Sequence, residues 1–154
     1  MDATTIRNEL ITAARFRLQR FRDLVSLAEE QRAILLERRH DDLPENLRRH
    51  DPLLIELAKA EKREESLLAM LSEAETEAGG SEEFEAAYGK INEETRDLAR
   101  RLQPLVAGNT QLLKTMMEYV QFSIDVMFKV MSEQQPFDRT ADIGSAALLL
   151  DRKV

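Results

Sequence analysis

Apolar residues recur at alternating steps of three and four along this chain, and that spacing constrains its fold more than any other feature. In the first third of the chain the series is interrupted only once, by Arg32. It runs through Ile11, Ala14, Leu18, Phe21, Val25, Ala28 and Leu35. Such steps place side chains on one face of an α-helix, and a heptad-like series of this length predicts packing against another helix.

Two breaks divide the pattern into three helices. Asp41-Asp42-Leu43-Pro44 is a stop followed by a restart, and Gly79-Gly80 marks a helix end. The sequence therefore predicts helices over about residues 3–40, 43–78 and 82–132. With only five glycines and four prolines in 154 residues, the chain is poor in turns, which favours long helices over a sheet.

Two prolines fall inside the predicted helices. Pro52 should kink the second helix or split it, and Pro104 should kink the third. The predicted fold class is all-α, an elongated antiparallel three-helix bundle or pair of coiled-coil-like hairpins. We expect a single helical domain over residues 1–132 and a flexible C-terminal tail over 133–154.

Charge and composition exclude several kinds of partner. The chain has 29 acidic and 22 basic side chains, and a formal net charge of −7 disfavours binding to nucleic acid or to anionic lipid. The absence of cysteine rules out disulfides, thiolate metal ligands and cysteine nucleophiles. The first residues lack the features of a secretory signal, and no stretch approaches the ~18–20 apolar residues of a membrane span. We therefore expect a cytoplasmic protein.

The sequence offers little support for an enzyme. His40 and His50 lie in near-duplicate Arg-Arg-His-Asp runs, but a ten-residue offset across a predicted helix break fixes no metal geometry. We interpret these runs as interhelical charge pairs. The chain has no glycine-rich phosphate loop and no His-Glu-x-x-His sequence. The expectation is a protein without catalytic residues, cofactor or metal site.

The segment 105–131 is the most informative part of the chain. From about residue 119 to 131 the predicted helix is apolar nearly all round, which two other helices cannot cover completely. An apolar patch left exposed implies a partner. Four of the six methionines lie here, and flexible methionine side chains suit surfaces that repack around different apolar ligands. They are Met116, Met117, Met127 and Met131.

Two interpretations of this patch remain open from the pattern alone. The patch either binds an amphipathic helix of a client protein or forms the seam of a homodimeric coiled-coil adaptor. A dimer would hide the patch, whereas a client-binding protein would leave it free.

At this point the sequence resembles the FlgN family of flagellar export chaperones. Gly108-Asn109-Thr110-Gln111-Leu112-Leu113, followed by the methionine-rich helix, is similar to an Asn-x-x-Asn-x-x-Leu-Leu segment of that family, with Val106 in place of the first Asn. The ending Leu148-Leu149-Leu150-Asp151-Arg152-Lys153-Val154 resembles a Leu-Phe-Asp-Arg-Lys-type terminus.

The resemblance implies a function and a set of site residues. Such chaperones hold the C-terminal amphipathic helices of the hook–filament junction proteins FlgK and FlgL in the cytoplasm and deliver them to the flagellar type III export gate. Carried over by position, the client-binding residues would be Leu112, Leu113, Met116, Met117, Val120, Ile124, Met127 and Met131. The family also has a tail aromatic linked with docking at the export gate, and Phe137 is its nearest match here.

Overall fold

The computed structural model of the protein describes residues 1–78 and 80–134, and over these residues the chain is helical. Helix α1 spans Ala3–Leu36, α2 spans Leu43–Ala78 and α3 spans Glu82–Gln134. A short 3₁₀ turn, His40–Asp42, precedes α2, and the described residues form no strand. The predicted all-α fold class is therefore confirmed, while all but the first two residues of the predicted tail lie outside the described ranges.

The first helix ends four residues earlier than the sequence predicts. Arg38 adopts a left-handed backbone conformation with φ of 57°. This turn lets the Arg39 N–H donate to the Ile34 carbonyl at 3.0 Å, so the helix is closed by its own backbone. At the other end Asp2 caps α1, because its Oδ1 accepts a 2.7 Å hydrogen bond from the Thr5 N–H.

Both internal prolines lie within continuous helices. Pro52 lies inside α2 and Pro104 inside α3, so the alternative of a second helix split at Pro52 is wrong. A proline removes one helical hydrogen bond without necessarily ending the helix, provided that its neighbours hold the backbone. The predicted kinks at both sites stay predictions.

The chain divides into two compact units. The first is Met1–Gln111, and the second begins at Leu112, with residues 112–134 of it described. The predicted single domain over residues 1–132 stays a prediction.

Ion pairs show how α1 and α2 are aligned in the first unit. Arg7 near the start of α1 pairs with Glu75 near the end of α2 at 2.8 Å. Glu30, near the end of α1, pairs with Arg49 near the start of α2 at 3.0 Å. The two helices are therefore antiparallel.

Helix α3 continues the bundle in the direction of α1. Arg22 pairs with Glu94 at 3.2 Å, and further along both helices the Asn109 side chain reaches the Ala28 carbonyl at 2.8 Å. The first unit is thus a three-helix bundle in which α2 runs opposite to α1 and α3, as the heptad-like pattern predicts.

The largest core cluster of this bundle lies where the start of α1 meets the end of α2. Ile6 and Leu10 of α1 are fully buried and pack with Leu67 and Leu71 of α2. The start of α3 covers them with Phe84 and Tyr88, whose rings are stacked with centroids 5.4 Å apart. Every buried hydrophobic side chain among the described residues lies at or before Ile91.

Candidate functional site

The second unit presents large apolar side chains to solvent. The four most exposed members of the seam predicted from the sequence are Met117 (69% exposed), Val120 (50%), Met127 (63%) and Met131 (61%). They follow one another at helical spacing and form a continuous stripe. Fully burying a side chain of this size contributes about 1.5–3 kcal/mol, so covering the stripe would release a substantial free energy.

The other four predicted client-binding residues are partly covered. Leu112, Leu113, Met116 and Ile124 are half-buried, so they line the stripe without dominating its exposed area. Phe137, the candidate for export-gate docking, lies outside the described residues.

A second set of exposed apolar residues widens this surface. Tyr119 is 70% exposed and Phe122 is 65% exposed, and Val126, Phe128 and Val130 are also exposed. Most polar residues of the same segment share one face, where the Gln121 Nε2 donates to the Asp125 Oδ1 at 3.0 Å, and Ser123 lies apart from them. The helix therefore offers an apolar arc wider than a single stripe, in agreement with the pattern in the sequence.

The first unit contains a buried polar cluster that sequence reasoning missed. The Glu64 carboxylate of α2 accepts a hydrogen bond from the Tyr88 hydroxyl at 3.1 Å and forms an ion pair with Arg17 at 3.2 Å. The Arg17 guanidinium also donates to the Asn92 side-chain oxygen. Because these residues come from all three helices, one buried ion pair and its hydrogen bonds join the whole bundle.

Burial changes the titration of this cluster. Loss of hydration raises the pKa of the Glu64 carboxyl, and the Arg17 charge and the Tyr88 hydrogen bond offset that rise only in part. The pKa of Tyr88 is raised, first by burial and then by the charge of Glu64. Buried polar residues at a helix junction act mainly on the specificity of packing, and we assign this cluster a structural role.

A readable signal for this cluster was present in the sequence. Glu64 continues the series that places Ala60, Leu67 and Leu71 in the core, all at steps of three and four. The surrounding run of charged residues hides that register, because its other members lie on the exposed side of α2.

The two histidines differ in their surroundings. His40 is exposed in the 3₁₀ turn, whereas His50 is half-buried in α2. Burial lowers the pKa of His50, and the nearby charges of Asp51, Arg49 and Glu30 modify that shift. Within residues 1–78 and 80–134, no three His, Asp or Glu side chains are grouped so as to hold a metal ion.

A groove of about 580 Å³ lies between α1 and α2 in the first unit. Its floor includes Ala13 and Ala60, and the exposed Phe16 ring forms one wall. Two carboxylates and two cations line it, so its charge favours neither sign. They are Glu9, Glu56, Lys59 and Arg63.

None of the three helices, over the residues that are described, combines the length and the apolar character that crossing a bilayer requires.

Together the fold and the exposed stripe define a class, namely α-helical proteins with an apolar helix surface exposed to solvent. The family model for the FlgN protein matches residues 1–135 of this chain. The chain therefore belongs to the FlgN family, which is a family of flagellar export chaperones. The resemblance to the FlgN family is confirmed, whereas the C-terminal residues 148–154 lie outside the matched region. Neither the curated proteins nor the solved structures gave a match.

Proposed function

We propose that this protein holds the C-terminal amphipathic helices of hook–filament junction proteins of the FlgK and FlgL type in the cytoplasm and delivers them to the export gate. The observation that carries the proposal is the exposed stripe Met117, Val120, Met127 and Met131. Membership of the FlgN family supports the flagellar setting of the partner.

The proposed mechanism is docking of one helix against another. The apolar face of the client helix replaces water along the stripe, and each buried side chain contributes about 1.5–3 kcal/mol before losses. Ordering of the client helix and loss of its free motion offset much of that gain. Affinities from micromolar to nanomolar follow from such a balance. Occupying the apolar face of the client would also prevent its premature assembly.

The test is a pair of variants that add the same charge on different faces of α3. Met117→Asp with Met127→Asp places two carboxylates in the exposed stripe, where neither side chain contributes to a buried core. Gln121→Asp with Ser132→Asp adds two carboxylates at exposed polar positions of the same segment. Affinity for a C-terminal FlgK or FlgL segment, measured by calorimetry, should fall at least about 100-fold in the first variant and little in the second.

Two outcomes would contradict the proposal. Equal binding by the wild type and the Met117→Asp/Met127→Asp variant would place the client elsewhere, and a Phe16→Asp variant would then test the groove between α1 and α2. Failure of the wild type to bind either client segment would reject the proposed client class.

The same exposed stripe supports self-association as a second candidate function. A homodimeric adaptor would bury Met117 and Met127 against a second copy of the chain. Light scattering should then show a dimer at low micromolar concentration that the stripe variant converts to a monomer. A wild-type monomer at that concentration would reject the adaptor.

Docking at the export gate is proposed for Phe137, and this assignment rests on the family resemblance alone. Phe137→Ala should leave the affinity for the client segment unchanged while lowering export of the client in cells. Unchanged export would remove Phe137 from the proposed site.

A further inference from the structure

Two asparagines of the first unit are fully buried against the same place on α1. Asn46 of α2 and Asn109 of α3 are each 1% exposed. The Asn46 Nδ2 donates to the Leu27 carbonyl at 3.1 Å, and the Asn109 Nδ2 donates to the Ala28 carbonyl at 2.8 Å. Two different helices therefore attach to consecutive carbonyls of the third.

Each amide makes a second hydrogen bond, and the two acceptors of these bonds are again consecutive residues of α1. Asn46 also donates to the Glu30 Oε2 at 2.9 Å, and Asn109 also donates to the Gln31 Oε1 at 3.0 Å. Each asparagine thus binds a carbonyl and the side chain three residues later. Because both acceptors at each site are oxygens, the amide can satisfy them only with its NH₂ group, which fixes its orientation.

Neither asparagine is well suited to adding stability. The Oδ1 atoms of Asn46 and Asn109 are buried without a hydrogen-bond partner. A buried polar atom without a partner is costly, and an apolar side chain of similar size in the same slot avoids that cost. This cost offsets part of the stability that their hydrogen bonds add, so the two residues contribute something besides net stability.

Their place in the heptad-like series indicates what that contribution is. Asn109 continues the stripe of Leu98, Leu102 and Leu105 at the next step of four. An entirely apolar stripe packs almost equally well after a slip of one heptad, whereas a buried asparagine fits only where its acceptors lie.

The Arg32 side chain of α1 reaches the backbone of α3 beside Asn109. A β-carbon on Gly108 would lie 2.9 Å from an Arg32 guanidinium nitrogen. The absence of a side chain at 108 leaves room for Arg32 beside α3, next to the Asn109 amide.

We propose that Asn109 sets the register of α3 along α1 through its hydrogen bonds to the Ala28 carbonyl and to Gln31, and that Asn46 anchors α2 beside it at the Leu27 carbonyl. This proposal does not depend on the proposed client, since both asparagines and their hydrogen-bond partners belong to the first unit.

After a slip of one heptad, Leu24 or Arg38 would lie opposite Asn109 in place of Gln31, and neither side chain can accept a hydrogen bond. The same slip would bring Asp23 or Glu37 opposite Asn46 in place of Glu30, so the choice of register rests on Asn109.

The stability of leucine variants tests the first part of the proposal. Asn46→Leu leaves Glu30 paired with Arg49, so the Tm should be unchanged or higher. Asn109→Leu leaves the buried Gln31 oxygen without its donor and should lower the Tm by roughly 4–8 °C. Adding Gln31→Leu to Asn109→Leu should restore most of that loss. A large loss of Tm in Asn46→Leu, or no restoration by Gln31→Leu, would show that the amides are simply stabilising.

Cross-linking measures the register directly, because the chain contains no cysteine. Cysteines at Arg22 and Glu94 replace an exposed 3.2 Å ion pair and report the native register. Cysteines at Arg22 and the exposed Ala87, one heptad earlier in α3, report a slipped register. With a short bismaleimide, the otherwise unchanged chain should cross-link only the first pair within one molecule.

The variant Asn46→Leu/Gln31→Leu/Asn109→Leu should cross-link both pairs. A second variant, Asn109→Leu/Leu102→Asn, moves the asparagine one heptad along its stripe and should shift the preference towards the Arg22–Ala87 pair. The proposal is overturned if both variants cross-link only the native pair. If the leucine variant does not fold, the transplanted asparagine decides the question by itself.

Discussion

Glu64 is a carboxylate whose charge is balanced by a single arginine inside the bundle. Its side chain is 3% exposed and that of Arg17 is 18% exposed. Arg17→Met should therefore lower the free energy of unfolding by about 3 kcal/mol or more, because it leaves a buried charge without its partner. Urea unfolding followed by circular dichroism measures this loss.

The double variant Arg17→Met/Glu64→Met is the matched control. It removes both charges and fills the same space with apolar side chains, so it should recover most of the lost free energy. A double variant as unstable as the single one would show that packing around Arg17, and not charge balance, holds the three helices together.

The raised pKa of Glu64 makes stability depend on pH in a direction that is unusual for a carboxylate. Since burial raises this pKa above its usual value of 4.5, the folded chain binds the proton more readily than the unfolded chain. The stabilising contribution of the proton is complete below pH 4.5 and is lost as the pH rises through the raised pKa.

Comparison with Glu64→Gln isolates this contribution. We compare the free energy of unfolding of the wild type with that of Glu64→Gln. The difference, wild type minus variant, should increase as the pH falls from about 7 to 4.5. Other carboxylates cancel in the difference. If the difference instead decreases on acidification, the Arg17 charge lowers the pKa of Glu64 by more than burial raises it.

The end of α1 shows how a single backbone conformation sets the length of a helix. Arg38 holds φ at 57°, a region that costs an L-residue with a side chain roughly 1–2 kcal/mol and costs glycine little. Arg38→Gly should therefore raise the free energy of unfolding by about 1 kcal/mol. Glu37→Gly, at the preceding right-handed position, is the control and should lower it. A loss in Arg38→Gly would show that its side chain matters more than its backbone.

The sequence predicts the helices well and their buried polar residues poorly, for one physical reason. Spacing at steps of three and four identifies a face without specifying which chemical groups lie on it. Asn46, Glu64 and Asn109 are buried at positions where the spacing would lead one to expect an apolar residue. Their partners, Leu27 and Arg17 among them, lie 19 and 47 residues away in the sequence, so local patterns cannot reveal them.

The apolar surface of the second unit was more accessible to sequence reasoning. Side chains that are apolar nearly all round a helix cannot all be buried by two neighbours, and the exposures of Met117 and Tyr119 agree with that argument. The identity of the partner is a different matter, because an apolar stripe fits many amphipathic helices and the particular client is fixed by the partner's own sequence.

At the scale of the whole molecule, the buried core and the proposed binding surface fall in different parts of the chain. The buried hydrophobic residues lie at or before Ile91, and Asn109 is the last buried residue described. A chain shortened after Gln111 should therefore keep a cooperative urea transition and most of its free energy of unfolding. It should also bind less of a hydrophobic dye, because the exposed stripe is removed.

A chain shortened after Leu105 is the matched comparison. It lacks Asn109, so it should be less stable than the 111-residue chain by about 1–3 kcal/mol, because the buried hydrogen bonds from Asn109 to Ala28 and Gln31 are lost. Non-cooperative unfolding of the 111-residue chain would show that the segment after Gln111 is needed for the bundle.

The two asparagine contacts can form only at different times during synthesis, because the asparagines lie at different distances along the chain from their partners on α1. Asn46 follows Leu27 by 19 residues, whereas Asn109 follows Ala28 by 81. At a synthesis rate of ~5–20 residues per second, Asn109 is made roughly 3–13 s after Asn46. Within that interval α2 is completed before α3, and until residue 92 is made the Arg17–Glu64 ion pair lacks one or both of its partners Tyr88 and Asn92. A protein proposed to shield the apolar helices of others thus spends seconds at the ribosome with its own core uncovered.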